Sequence, residues 1–242
     1  NHKALIKLAE YSRNRIKKLI TICITGSSGK TTLKEWIFKV FKQKKISYCT
    51  SGNYNNEIGM PLTLANMPKN TELCILELGM NCPGEIIKLS KIANPNISII
   101  TNIGSAHSGN FKKLEGIADE KSDIFSFLDR NSFAIIPGDS KFYEYLYKKA
   151  YNNTKRIFSF GVKDNCEFKI ERTIKKKISK FKIMNRVYQI ENKSYFFSWE
   201  QNIIIILGLA KILKISVESI LPNIQNLKPL GGRGQVKKIC LE

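Results

Sequence analysis

The sequence predicts an α/β fold: a mostly parallel sheet flanked by helices and containing a P-loop, with a small antiparallel β addition in the second half. Three observations predict it. Short apolar runs rich in Ile, Leu and Cys recur through the first 160 residues, each too short to be a helix. Helical patterns of about ten residues separate these runs, as in βαβ units. Beyond Gly161 the pattern changes to polar–apolar alternation, which suits antiparallel strands with one solvated face.

The elements follow in order. Residues 1–18 read as an amphipathic linker helix, with Leu5, Leu8, Ala9 and Ile16 apolar among Lys and Arg. Strands are predicted at 19–25, 46–50, 72–78, 97–102, 133–137 and 156–160 from their β-branched and apolar content. Helices are predicted at 33–41, 84–93, 114–128 and 141–150, and residues 51–59 read as a polar loop rich in Asn and Gly. Residues 168–190 alternate, within an antiparallel portion expected at about 162–195, and helices return at 199–213 and 217–226. One domain over residues 19–242 is the expected organisation. Ligands of such a sheet bind beyond the C-terminal strand ends, which directs attention to Gly26, Thr50–Gly52, Glu77, Asn102 and Gly138.

Composition narrows the function. The chain has 242 residues, 43% hydrophobic, enough for a buried core and unlike a disordered chain. The longest apolar run, at 203–210, falls far short of the roughly 20 residues that span a bilayer, so no membrane insertion is predicted. Forty basic against twenty acidic residues give a net charge of +20. Such a charge invites a nucleic-acid reading, but Lys is overused along the whole chain and no aromatic platform is interleaved with it. No nucleic acid is therefore expected as a partner. The six cysteines show no C-x-x-C spacing, and no charged-then-apolar signal peptide is read in the sequence; a reducing, cytoplasmic setting is expected.

The chemistry-bearing motif is Thr25-Gly26-Ser27-Ser28-Gly29-Lys30-Thr31-Thr32, between a predicted strand and a predicted helix. Glycines let backbone amides approach phosphate oxygens, Lys30 supplies a point charge, and Thr31 offers a hydroxyl to Mg²⁺. The spacing is G-x-x-G-K-T, shorter than the usual P-loop. Glu77 ends an apolar strand, where a carboxylate can hold Mg²⁺ or cap a helix. Lys121 reads on its own as a solvated lysine near Glu120 and Asp123, and His107 as a loop histidine. Asn53, Asn56 and Asn102 fall at strand ends, where Asn also favours turns.

These residues resemble the Mur ligases, the ATP-dependent amide-bond-forming family of peptidoglycan synthesis. That family has the loop T-G-[ST]-x-G-K-[ST]-T, which residues 25–32 match throughout. The runs Gly52-Asn53-Tyr54-Asn55-Asn56-Glu57-Ile58-Gly59, Glu77-Leu78-Gly79-Met80-Asn81 and Lys121-Ser122-Asp123-Ile124-Phe125 resemble the branch that adds the D-Ala-D-Ala dipeptide.

The resemblance covers the family's central ATP-binding domain alone, so the N-terminal UDP-sugar domain and the C-terminal domain are expected to be absent. It implies ATP and two Mg²⁺ ions as cofactors, with Thr31, Glu77 and His107 as metal ligands. It implies that Lys121 is carbamylated by CO₂, and that Asn202 and Arg233 contact the nucleotide. UDP-MurNAc-peptide and D-Ala-D-Ala are the implied substrates, and a monomer that does not ligate alone is expected.

One departure stands out. The family's helix begins H-N-x-x-N, with the second Asn at adenine; this chain has Gln201, Asn202 and Ile205. A related Mur-type or folylpolyglutamate-like ligase, and a noncatalytic nucleotide-binding module, are the alternatives.

Overall fold

The computed structural model describes residues 1–105, 110–111, 113–171, 178–191 and 197–230. The predicted strands form: β1 (Ile20–Thr25), β2 (Ser47–Cys49), β3 (Leu73–Glu77), β4 (Ile97–Ile100), β5 (Phe133–Pro137) and β6 (Ile157–Gly161). The alternating segment supplies β7 (Phe168–Glu171), β8 (Ile178–Ile183) and β9 (Arg186–Glu191).

All nine strands belong to one sheet, in the order β2-β3-β1-β4-β5-β6-β7-β8-β9. β7 still pairs parallel to β6, and the antiparallel pairings are β7–β8 and β8–β9, so β8 alone of the nine runs against the others. The antiparallel addition is thus an extension of the parallel sheet rather than a separate layer. Alternation alone could not reveal this, because it reports one solvated face and not the direction of the neighbour. β8 and β9 are joined by Met184 and Asn185 alone, with Met184 at φ 52° in the left-handed region that such tight hairpins require.

β1 lies in the middle of the parallel part because both sheet faces are covered there. Ile22 and Ile24 face one core, built with Leu33, Ile37 and Phe41 of helix α2 (Lys30–Phe41). Helix α7 (Phe197–Ile212) and helix α8 (Leu221–Gln225) complete that layer. Cys23 faces the other core. There α1 (His2–Asn14), α3 (Gly59–Ala65), α4 (Glu85–Ala93), α5 (Leu114–Ser122) and α6 (Tyr143–Tyr151) pack.

α7 is apolar all round, as a helix buried on most sides must be. Gly208 lets it approach β7 closely: a Cβ there would lie 2.3 Å from the Phe168 ring.

Two elements differ from expectation. α3 follows the segment read as a loop; Asn56 Oδ1 accepts the N–H groups of Ile58 (3.2 Å) and Gly59 (2.8 Å) ahead of it. A single helix was expected over residues 114–128. Instead α5 stops at Ser122 and a 3-10 turn, Asp123–Phe125, places Ile124 and Phe125 in the core.

β1 is flanked by β3 and β4, and β1 is connected through α2 to β2 on one side, while β3 is connected through α4 to β4 on the other. The crevice at this reversal, beyond the strand C-termini, is where open α/β sheets bind ligands.

Candidate active site

The loop after β1 is shaped by two glycines. Gly26, at φ +147°, leaves no room for a side chain: a Cβ would sit 1.9 Å from Thr101 Oγ1 at the end of β4. Gly29, at φ +81°, is the N-cap of α2. The first-turn N–H groups of α2, which a helix cannot satisfy internally, begin at Lys30. With the helix dipole they make this end an anion site.

The loop is clamped from β4. Asn102 Oδ1 accepts the N–H groups of Ser27 (3.0 Å) and Ser28 (2.9 Å), and its Nδ2 donates to Ser28 Oγ (2.6 Å). Thr101 Oγ1 donates to the Ser28 carbonyl at 2.6 Å, and Ser27 Oγ donates to the Gly104 carbonyl at 2.9 Å. Asn102 therefore sets the loop's shape, and the N–H groups of Ser27 and Ser28 are engaged by it. The ammonium of Lys30 folds back onto the Gly26 carbonyl at 2.7 Å, held over the loop.

A cleft of about 640 Å³ opens above this loop. Residues 27–32, Asn56, Glu77 and Asn202 line it, so most of the predicted site converges there. Gly26, Asn53, Asn102 and Lys121 are not in the lining. Gly26 and Asn102 support the loop from behind, and Asn53 is exposed. His107 and Arg233 lie outside the described residues. Ile205 is fully buried in the core and does not line the cleft.

Glu77 is 2% exposed. Its Oε1 accepts from Asn55 Nδ2 at 2.9 Å, while Oε2 is buried without a hydrogen-bond partner among the described residues. A carboxylate oxygen left bare in a cleft wall beside a phosphate loop fits a hard cation. Mg²⁺ is typically held by one or two carboxylates plus phosphate oxygens, and Glu77 with the Thr31 hydroxyl is a donor set of that kind.

Lys121 is 1% exposed and its Nζ touches Met80 Sδ at 3.6 Å, directly behind the lining. Burial first, and the charge of Lys30 second, push its pKa down to about 7 against the opposing charge of Glu120. A lysine so placed is an available amine nucleophile near neutral pH. Glu120 itself accepts the N–H groups of Gly84 (2.6 Å) and Ile86 (2.8 Å), closing the start of α4.

Three side chains went unread in the sequence. Asn55 orients Glu77, while its neighbours Asn53 and Asn56 were the ones singled out. Lys34 is fully buried and donates to the Thr50 carbonyl at 2.5 Å, and Thr50 Oγ1 accepts the Glu77 N–H at 3.1 Å. Trp199 lines the cleft from α7. A strand-end carboxylate needing an orienting amide was the available signal for Asn55; nothing in the local pattern marked Lys34 or Trp199.

Comparison with known proteins identifies the family. The Mur ligase middle domain matches residues 24–202. The UDP-N-acetylmuramoyl-tripeptide–D-alanyl-D-alanine ligase of Buchnera aphidicola subsp. Baizongia pistaciae is 40% identical over 181 residues, covering 74% of this chain and 39% of that protein. The ligase of the same name from Bacillus subtilis is 38% identical over 165 residues, covering 67% of this chain and 35% of that protein.

Among solved structures, MurF from Acinetobacter baumannii superposes with a TM-score of 0.86 at 28% identity, covering 98% of this chain and 52% of that one. MurF ligase from Thermotoga maritima in complex with ADP does so with a TM-score of 0.86 at 27% identity, covering 98% and 55%. The chain thus spans about half the length of these structures, and less of the curated relatives. On the matched span, the strand-to-helix phosphate loop and the shared architecture together, the chain belongs to the Mur ligase middle-domain family.

Proposed function

We propose that this chain is the ATP-binding central domain of a ligase that joins UDP-MurNAc-tripeptide to D-Ala-D-Ala. The observation that carries the reading is the convergence of Lys30, the bare Glu77 Oε2 and the α2 N-terminus on one cleft. The names of the relatives supply the substrates, and the ADP complex of one neighbour supports a nucleotide in this cleft.

In the proposed reaction a substrate carboxylate oxygen attacks the γ-phosphorus of ATP, and the bond to the β-phosphate oxygen breaks, releasing ADP. The amine then attacks the acyl phosphate, phosphate departs, and the nitrogen loses a proton. Lys30 and the α2 amides offset charge on the transferring group. Thr31 and Glu77 hold Mg²⁺, which supplies charge neutralisation on the triphosphate. Asn202 lies beside the loop, its Oδ1 3.8 Å from where a Cβ on Gly29 would stand, and is assigned to the nucleotide.

Carbamylation of Lys121 is part of this proposal: the neutral amine adds to CO₂ and releases a proton. Lys30 would then face an anion instead of a like charge. A second Mg²⁺ at His107 and a contact from Arg233 rest on the family resemblance. Binding of the UDP-linked substrate and of the dipeptide is assigned to regions of the relatives beyond the matched span. A cytoplasmic monomer is proposed; among the described residues no helix is long and apolar enough to cross a membrane.

Titration of the chain with ATP, with and without Mg²⁺, tests the reading. Saturable Mg²⁺-dependent binding, weakened at least about tenfold by Lys30→Ala, is the expected result. Absence of saturable binding favours a noncatalytic module instead, a reading that Gln201 and the buried Ile205 support. Robust ligation by the chain alone would refute the assignment of substrate binding to other regions.

A further inference from the structure

The cleft has two chemically different ends. Toward β3 it is lined by Asn55, Asn56, Glu77 and Glu85, amide and carboxylate groups suited to a cation and a polar acceptor. Toward α7 it is lined by Trp36, Trp199, Asn202 and Pro229. The chain has two tryptophans, and both are here.

The two indoles are in different states. Trp36 Nε1 donates to the Lys228 carbonyl at 3.2 Å, which pins the segment carrying Pro229 against α2. Trp199 Nε1 is buried with no hydrogen-bond partner among the described residues, although the residue is 4% exposed. Buried indole N–H groups usually find an acceptor, and leaving one unmade is costly. The ring itself is well fixed, with its centroid 6.4 Å from that of Phe181 on β8. Trp199 precedes Asn202 by three residues, so it lies on the same side of α7, about 4.5 Å further along the axis. Asn202 borders Gly29 of the phosphate loop.

We propose that Trp199 is a specificity-determining residue for the nucleotide base. Its Nε1–H donates to a ring nitrogen of a purine seated at the tryptophan end of the cleft. This deepens the ATP-binding reading above and rests on it. Indole is a donor only, so the partner must be an acceptor, and purine ring nitrogens are acceptors with an apolar face to match the aromatic wall. A phosphate suits this end poorly, because the charged donors lie at the loop. The nitrogen is covered by neighbouring wall atoms, so the contact forms with a side-chain adjustment of the kind common on binding.

The test is a cycle of two ligands and two proteins. Trp199→Phe keeps an aromatic ring against Phe181 and removes the N–H. Calorimetric titrations of the unmodified chain and the variant are run with MgATP and with magnesium tripolyphosphate, which has no base. Affinity for MgATP should fall about fivefold to tenfold, and that for tripolyphosphate by less than about twofold. One of 1-, 3- and 7-deaza-ATP should bind the unmodified chain as weakly as ATP binds the variant, and the variant should not distinguish that analogue from ATP.

Equal weakening for both ligands, no weakening for either, or indifference of the unmodified chain to all three analogues overturns the inference. If the unmodified chain binds tripolyphosphate as tightly as ATP, the base is not held and the inference falls while the phosphate loop stands. If it binds neither, the ATP reading falls and takes the inference with it.

Discussion

Replacing Lys121 by Met should make the protein more stable. Among the described residues two lysines are fully enclosed by this fold, in opposite circumstances. Lys34 has the Thr50 and Gly52 carbonyls at 2.5 and 3.3 Å and the Glu35 carboxylate at 3.1 Å. Lys121 has a thioether at 3.6 Å as its hydrogen-bond partner among the described residues. Its pKa accordingly falls from the ordinary 10.5 to about 7, through burial first and the charge of Lys30 second.

At pH 7 the unfolded chain binds this proton and the folded chain half releases it. At about 1.4 kcal/mol per pH unit, the folded state forgoes about 4 kcal/mol as an upper bound. Methionine keeps the unbranched stem and meets Met80 without a charge, so a gain of about 2 to 4 kcal/mol is expected.

The sign with pH follows from the lowered folded pKa. The penalty is full below pH 7 and shrinks as pH rises toward 10.5, because there the unfolded state binds more protons. Urea unfolding in CO₂-depleted buffer at pH 7 and pH 9.5 measures the difference. The variant's advantage should fall by about 3 kcal/mol between the two. Added bicarbonate should stabilise the parent and leave the variant unchanged. A variant less stable than the parent at pH 7, or an advantage that does not move with pH, refutes the reasoning.

Lys34→Met should have the opposite effect, costing about 2 to 3 kcal/mol in urea unfolding, because it leaves the buried Thr50 carbonyl unpaired. Gly26→Ala drives a Cβ to 1.9 Å from Thr101 Oγ1 in a left-handed backbone, and about 3 kcal/mol of stability should be lost in the same assay, together with ATP binding. Glu77→Gln keeps an acceptor for Asn55 Nδ2 but removes the charge from the bare Oε2. Its affinity for ATP in the presence of Mg²⁺ should drop at least about tenfold, with Mg²⁺-free binding unaltered in calorimetry.

The parallel core was legible because each strand is a compact apolar run between turn residues, and because the run from Thr25 to Thr32 is itself a strand-to-helix junction. What escaped was whatever depends on a partner distant in sequence. Lys121 sits in a stretch with Glu120 and Asp123 that looks solvated, yet α5 turns it behind Met80, forty-one positions earlier. Glu120 seemed part of the same charged surface, and it caps a different helix. α3 drew no prediction, because it is short and begins where an Asn-rich loop ends. The continuity of β7 with the parallel sheet lay beyond a pattern that reports faces and not neighbours.

The Asn102 clamp also dictates when the site comes into being. The β8–β9 hairpin closes across two residues and can form within microseconds of collapse. The phosphate loop cannot, since Ser27 and Ser28 wait for an amide 75 and 74 positions away. During synthesis, β1 and its loop leave the ribosome well before β4, so this loop has no fixed shape until the strand that locks it has been made and paired. Nucleotide binding is then a late event in folding, and its onset marks the moment at which the centre of the sheet has closed around β1.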